Sequence, residues 1–313
     1  MKKYRYTIAF IVCLLSFTVY VLLDTFVISR PTRYAGDQIN NSMFLQNQTD
    51  ISSAKSQTLS EEAEDTALSQ GGTLIGEYQN EQAMIRLYQY EYLDTTVYAA
   101  EVTVTSSEAV KTAFANGYYG KNVKETTSSM AEQNNAILAI NGDFYGAREK
   151  GYVIRNGVVF RETSDGSDLM CLYADGQMRI VDSDEISAQA LVEEGVWQAF
   201  CFGPALLQNG QISVSEKDEV GKAMASNPRT AIGMIDSCHY VFIVSDGRTE
   251  ESQGLSLYEL ASFLQELGIE TAYNLDGGGS STLYFDGEVI NYPTTSGRSM
   301  KERGVSDIVY IGK

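Results

Sequence analysis

The sequence predicts an α+β fold of mixed, largely antiparallel β-sheets with flanking helices, preceded by one N-terminal transmembrane helix. Three observations carry this. Short apolar, strand-like runs recur from about residue 98 to 311, several of them joined by two-residue hairpin turns. One helix is complete in its signals, at 256–267. An apolar run near the start stands alone, cut off from the rest by a polar stretch.

That first run extends from Ile8 to Leu23, broken only by Ser16, Thr18 and Tyr20. With its flanks it reaches the ~20 residues a bilayer crossing needs. Lys2, Lys3 and Arg5 precede it, so the positive-inside rule places the start of the chain in the cytoplasm and the remainder outside. A cleavable signal peptide is the alternative. No clear small-x-small cleavage site follows the run, which favours an uncleaved anchor over residues 1–30. Residues 31–73 read as a polar, flexible tether. The stretch 36–72 is rich in Gln, Asn, Ser, Thr and Glu and too poor in apolar side chains to fold alone. Within it, Glu61–Asp65 reads as a short acidic helix. Residues 74–313 are then one folded domain.

Inside that domain Tyr98–Thr105 alternates as a strand. Thr127–Asn134 is predicted helical, with a Ser129–Glu132 capping box. Ala136–Ile140 is a short buried strand. Gly151–Phe160 and Leu169–Ile180 are predicted hairpins, turning at Asn156-Gly157 and Asp175-Gly176. Tyr240–Ser245 is a further buried strand. In Ser256–Leu267, Ser256 and Glu259 form a capping box. Leu257, Leu260, Ala261 and Leu264 make the apolar stripe, and Gly268 ends the helix. Thr271–Leu275 returns as a strand, and Asp286-Gly287 turns another hairpin.

Composition limits what the domain can bind. Residues 31–313 hold 19 Lys and Arg against 40 Asp and Glu, a net charge of −21. Such a surface is unsuited to nucleic acid, which needs a basic footprint. An anionic substrate would need a local cluster of arginines. Of the four cysteines, Cys13 lies in the span, which leaves Cys171, Cys201 and Cys238 outside; an odd number implies no disulfide framework. Cys171 and Cys238 read as buried core thiols. The single histidine, His239, reads as a strand residue.

Three apolar strands end in a carboxylate next to glycine. Ala136–Ile140 runs into Asn141-Gly142-Asp143-Phe144-Tyr145, Tyr240–Val244 into Ser245-Asp246-Gly247-Arg248, and Thr271–Asn274 into Leu275-Asp276-Gly277-Gly278-Gly279-Ser280-Ser281. Strand ends that deliver polar groups are a common way to build a site. The three glycines suit either a nest of backbone N–H groups facing a phosphate or a flexible hairpin loop. Arg229 and Arg248 offer bidentate hydrogen bonds to a phosphate, or ordinary surface ion pairs.

Taken in order, these segments resemble the phosphodiester glycosidase family. Carrying the resemblance are Ser129-Met130-Ala131, Ala139–Tyr145, Phe202-Gly203-Pro204-Ala205-Leu206, Asn209-Gly210, Pro228–Gly233, Asp246-Gly247-Arg248, Gly254-Leu255-Ser256, Glu259-Leu260-Ala261, Asn274–Ser281 and Arg303. They cover about Tyr98 to Ile311. Many members have Asn-Gly-Gly-Phe-Phe where this chain has Asn-Gly-Asp-Phe-Tyr, a departure at Asp143.

The resemblance implies an extracytoplasmic hydrolase that cleaves a sugar-1-phosphodiester at the sugar C1–O bond, on a sugar-phosphate or an exopolysaccharide of the cell envelope. It implies Asp276 as the leading carboxylate, with Asp246 and Asp143 in support. Arg229, Arg248 and Arg303 would bind phosphate with the loop Gly277, Gly278, Gly279, Ser280 and Ser281, while Asn141 and Ser280 orient the substrate. This reading leaves the cofactor open, with Asp246 and Asp143 either as supports or as ligands of a divalent cation. A rival uses Asp143, Asp246 and Asp276 as ligands for a hard divalent cation such as calcium or magnesium, in a phosphodiesterase that cuts a P–O bond. A second rival is a non-catalytic polysaccharide-binding module.

Overall fold

The computed structural model describes residues 2–35, 67–69, 71–218 and 226–313. Most of the expected tether, with the acidic stretch Glu61–Asp65, lies outside the described residues. Helix α1, Lys2–Phe26, contains the apolar window Ile8–Thr25, whose mean hydropathy is 2.2 and none of which is buried against protein. It is long and apolar enough to cross a membrane.

Among the described residues three larger sheets build the domain, beside a two-stranded one. The largest has eight strands, in the order Gln211–Ile212, Ala205–Gln208, Thr271–Asn274, Arg229–Asp236, His239–Ser245, Thr96–Val104, Ala83–Glu91 and Thr73–Gln79. A five-stranded sheet runs Glu288–Val289, Leu283–Phe285, Ala136–Asn141, Asp307–Gly312, Lys111–Phe114. The other five-stranded sheet runs Met178–Asp182, Asp168–Tyr173, Val196–Phe200, Val153–Arg155, Val158–Arg161. Every pairing within them is antiparallel.

The period-2 pattern decides which side chain goes where. In His239–Ser245, Tyr240, Phe242 and Val244 enter the central core, where they meet Ile137, Leu138 and Ile140 of one smaller sheet and Met170, Leu172 and Phe200 of the other. Val241 and Ile243 point the other way, under the helix Leu257–Glu266. That helix carries the expected capping box, Ser256 with Glu259, and buries Leu257, Leu260, Ala261, Phe263 and Leu264. Burying its four large side chains contributes on the order of 10 kcal/mol before chain entropy is subtracted. Two shorter helices, Thr127–Gln133 and Ala188–Glu193, cover the outer faces of the two smaller sheets.

The structure departs from the sequence reading at three places. Thr126, not Ser129, caps Thr127–Gln133: its hydroxyl accepts from the Ser129 amide, while Glu302 accepts from the amide of Ser128. Cys238 is not a strand thiol but sits in the turn between Arg229–Asp236 and His239–Ser245, at φ 60° and half-buried. Folded structure also begins earlier than residue 74. Arg30–Tyr34 pairs with Tyr118–Lys121, and Leu68 is buried, its carbonyl accepting from the Tyr90 hydroxyl. His239 is a strand residue, as expected, and bonds Glu101 at 2.9 Å.

Candidate active site

Antiparallel register gathers the strand ends noted in the sequence. Arg229 opens its strand opposite Ser245, the last residue of the neighbouring strand, and Ala231 faces Asn274 on the other side. In the second sheet Ile140 faces Leu283 and Asn141 faces Ile308. The Asp276 amide donates to the Gly142 carbonyl at 3.2 Å, which joins the two sheets at this point.

A cavity of about 590 Å³ opens there, lined by Phe144, Arg148, Phe202, Asn227, Arg229, Arg248, Asn274, Leu275, Asp276, Gly277, Gly278 and Arg303. Four arginines and a single carboxylate therefore line one cavity in a chain whose net charge is −18.

Asp276 is buried, and burial raises its carboxyl above the usual range while Arg303 and Ser280 pull it back down. Ser280 Oγ donates to its Oδ2 at 2.6 Å. Arg303 Nη2 lies 3.3 Å from the same oxygen, and its Nε donates to Ser280 Oγ at 2.9 Å. Arg248 donates from Nη2 and Nε to Asn227 Oδ1, at 2.9 and 3.2 Å, and from Nη1 to the Thr295 carbonyl at 2.8 Å. These neutral acceptors orient the guanidinium without cancelling its charge. Burial, with Arg303 and Arg229 nearby, lowers its pKa, as expected where like charges crowd. Arg229 is buried and donates from Nε to the Leu255 carbonyl at 2.7 Å. Arg148 donates to the Cys201 carbonyl at 2.9 Å and lies over the Phe202 ring.

Other expected site residues stand behind this wall rather than in it. Asn141 is fully buried: its amide nitrogen donates to the Asp276 carbonyl, and its Oδ1 accepts from Thr230 Oγ1 at 2.8 Å and the Thr282 amide at 3.1 Å. Asn141→Ala should therefore strand three buried partners. The expected cost is about 3 kcal/mol, read as a fall in melting temperature accompanied by loss of activity, because the loop carrying Asp276 is no longer held.

Asp246 is outside the cavity wall, and its Oδ1 accepts from Asn291 Nδ2 at 3.1 Å and the Tyr292 amide at 2.7 Å. Asp143 faces away into a buried charge cluster. Its Oδ2 accepts from the Cys201 amide at 3.2 Å and lies 3.6 Å from Arg155 Nη2. Arg155, in turn, donates from Nε to Asp307 Oδ2 at 2.7 Å. Among the described residues no three His, Cys, Asp or Glu side chains form a group that could hold a metal. Asp246 stands apart from the cavity that Asp276 lines, and Asp143 Oδ1 is buried without a hydrogen-bond partner.

Part of the glycine loop's donor set is taken up by backbone carbonyls. The amides of Gly278, Ser280 and Ser281 go to the carbonyls of Pro228, Gly277 and Gly278. The glycines serve close approach. A Cβ on Gly279 would strike Thr295, and Gly278, at φ 62°, lies against the Arg248 guanidinium. Ser281 is buried beneath the loop. The sequence reading missed Arg148, Arg155 and Asp307. A basic residue at the end of the apolar strand Val153–Arg155, and an acid opening Asp307–Gly312, were the only local signals.

Comparison with known proteins gives the family of the chain. Residues 134–312, more than half of the chain, match the phosphodiester glycosidase family. The chain belongs to that family. It is similar to the SPbeta prophage-derived uncharacterized protein YomE of Bacillus subtilis, at 30% identity over 184 residues, which are 56% of this chain and 28% of that protein. The mouse N-acetylglucosamine-1-phosphodiester alpha-N-acetylglucosaminidase is 34% identical over 101 residues, 28% of this chain and 19% of the mouse enzyme. The chain thus matches less than a third of the length of either relative.

Among solved structures, the catalytic domain of the zebrafish N-acetylglucosamine-1-phosphodiester alpha-N-acetylglucosaminidase, auto-inhibited by its pro-peptide, superposes with a TM-score of 0.59. It is 19% identical, over 77% of this chain and 87% of that one. A hypothetical protein from Synechocystis gives 0.54 at 14% identity, over 74% of this chain and 62% of that one. At such identities these structures show a shared fold. Thr73–Lys121, which supplies three strands of the central sheet, precedes the region matched to the family.

Proposed function

We propose that this phosphodiester glycosidase hydrolyses a sugar-1-phosphodiester outside the cytoplasm, releasing the sugar and leaving a phosphomonoester on the acceptor. The observation that carries the reading is one cavity lined by four arginines and one buried carboxylate. Arg229, Arg248, Arg303 and Arg148 are matched to the single charge a diester shares between two oxygens and to the extra charge that develops as the phosphate leaves. Asp276, ionised, stands where positive charge builds on the anomeric carbon or where water must be activated. Water attacks C1, the C1–O bond breaks with its electron pair going to the phosphate oxygen, and the water's proton leaves to the base. The departing phosphate is a stable anion, so no strong general acid is needed.

Asn141, Ser280 and Asp143 position this machinery in the proposed mechanism, and Asp246 anchors the segment around Asn291. The basic N-terminus and the exposed apolar helix α1 support the extracytoplasmic placement.

The test is turnover of an N-acetylglucosamine-1-phosphodiester by purified Arg248 and Arg229 variants. Arg248→Ala is expected to lose ten- to hundredfold in kcat/KM, from the roughly 1.5–3 kcal/mol of a charged hydrogen bond. Arg248→Lys should not recover it, because an ammonium cannot bridge Asn227, Thr295 and the phosphate at once. Arg229 is expected to behave alike. Full turnover in both alanine variants would remove the phosphate from this pocket.

A further inference from the structure

The helix α1 is not joined to the domain by a loose leash. Its C-terminal carbonyls end on Asn122 of the domain: Asn122 Nδ2 donates to the carbonyls of Thr25 at 2.9 Å, Ile28 at 3.3 Å and Asp24 at 3.4 Å. Ser29 Oγ donates back to the Asn122 carbonyl at 2.9 Å. The next residues, Arg30–Tyr34, form a strand on Tyr118–Lys121. Gly120 permits this pairing, since a Cβ there would run into the Arg30 carbonyl. Arg33 then donates to the Val159 carbonyl at 2.9 Å and covers the Phe160 ring.

The same asparagine is tied to the loop that carries two residues of the cavity wall. The Asn122 amide donates to the Gly146 carbonyl at 3.1 Å, and Gly146 lies two residues from both Phe144 and Arg148 of the cavity wall. Adding these links puts the Arg148 backbone roughly 20 Å at most from Thr25. The apolar window ends at Thr25, and the polar layer of one leaflet is only about 5–7 Å thick. At this exit two exposed tyrosine rings, Tyr34 and Tyr118, sit 5.0 Å apart. Paired amphipathic rings suit the headgroup level of a bilayer.

We infer that α1, Arg30–Tyr34 and the 143–148 loop form one clamp that seats the arginine pocket on the bilayer surface. The pocket then serves sugar-1-phosphodiesters whose acceptor is a lipid of that bilayer, with the phosphomonoester left on the lipid. This rests on the hydrolase reading above, but the seat and the chemistry are separately measurable.

The experiment uses the full chain in phosphatidylcholine vesicles doped with nitroxide-headgroup lipid. An environment-sensitive dye is placed at Lys150→Cys, with Cys13→Ala and Cys238→Ser. Lys150 is exposed and follows Glu149, which pairs with Lys121 of the docked strand at 3.6 Å. More than half of the emission should be quenched, and a 20-residue Gly/Ser insertion after Ser29 should relieve it. Unquenched emission, or quenching that the insertion leaves unchanged, overturns the seat. So does release of the domain by cleavage after α1.

In the same vesicles without nitroxide, a dialkyl-lipid-anchored N-acetylglucosamine-1-phosphodiester should turn over at least tenfold faster than the methyl diester, and under threefold faster in the insertion variant. Equal turnover of the two diesters overturns the lipid-borne substrate. Turnover of neither overturns the hydrolase reading and the substrate together, and the quenching then decides the seat alone.

Discussion

Asp276→Asn is expected to fold normally and to lose turnover by about 10²–10⁴-fold, the range for removing a catalytic carboxylate. The asparagine carbonyl can still accept from Ser280, so the loop keeps its shape. What disappears is the negative charge at C1. Stability should not fall with it. Burial raises the carboxyl of Asp276, so the stability linked to its protonated form is full below the unfolded pKa and is lost as pH rises through the folded value. The asparagine variant lacks that loss, so near pH 7 it should melt at or slightly above the wild-type temperature, with the difference vanishing in acid. Wild-type activity should in turn collapse on acidification at a pH above the ordinary carboxylate range near 4, as Asp276 takes up its proton. Melting curves and pH–rate profiles of both proteins check this, and an acid limb unchanged in the variant's residual activity would assign it to another group.

The largest expected effect on stability is at Arg155, which is 1% exposed. Its guanidinium lies between two buried carboxylates, Asp307 at 2.7 Å and Asp143 at 3.6 Å, and over the Phe200 ring. Burial pushes Asp307 up to about 6 even though Arg155 draws it down. Arg155→Met preserves much of the packing but leaves the two carboxylates facing each other in a dry interior. The cost should be about 3–5 kcal/mol, as for other buried ion pairs cut on one side, or roughly 10 °C in melting temperature for a domain this size.

The variant should be most stable in acid and should lose stability as pH rises through the raised pKa of Asp307. Adding Asp307→Asn should recover part of the loss at pH 7. An Arg155→Met protein as stable as wild type at pH 7 would show that the cluster is solvated.

The elements legible in the sequence were those whose signals are local. The helix Leu257–Glu266 has its cap, stripe and stop within a dozen residues, and the hairpin at Asn156-Gly157 is set by the turn itself. Asp276, Arg229, Arg248 and Arg303 were legible because each sits in a short motif at a strand end or loop, and ordered motifs survive without coordinates.

What could not be read depends on partners far away in the chain. Arg155 meets Asp307 across 152 residues, and nothing near either shows a charge pair. Asp246 looked equivalent to Asp276 because both follow a buried strand and precede glycine. Only the fold sends one into the cavity and the other to Asn291. The three glycines suggested a phosphate nest, and the commitment of the Gly278, Ser280 and Ser281 amides to backbone carbonyls is a matter of φ and ψ that composition does not specify. The strand Arg30–Tyr34 was hidden by the polar stretch behind it, since five residues of edge strand carry little pattern of their own.

The central claim is that water attacks the sugar carbon, with the phosphate as leaving group. Hydrolysis of an N-acetylglucosamine-1-phosphodiester in water enriched in oxygen-18, followed by mass spectrometry of both products, tests it most directly. The expected result is label on the anomeric hydroxyl of the released sugar and none in the phosphomonoester; label in the phosphate would mean that the P–O bond breaks and would contradict the account.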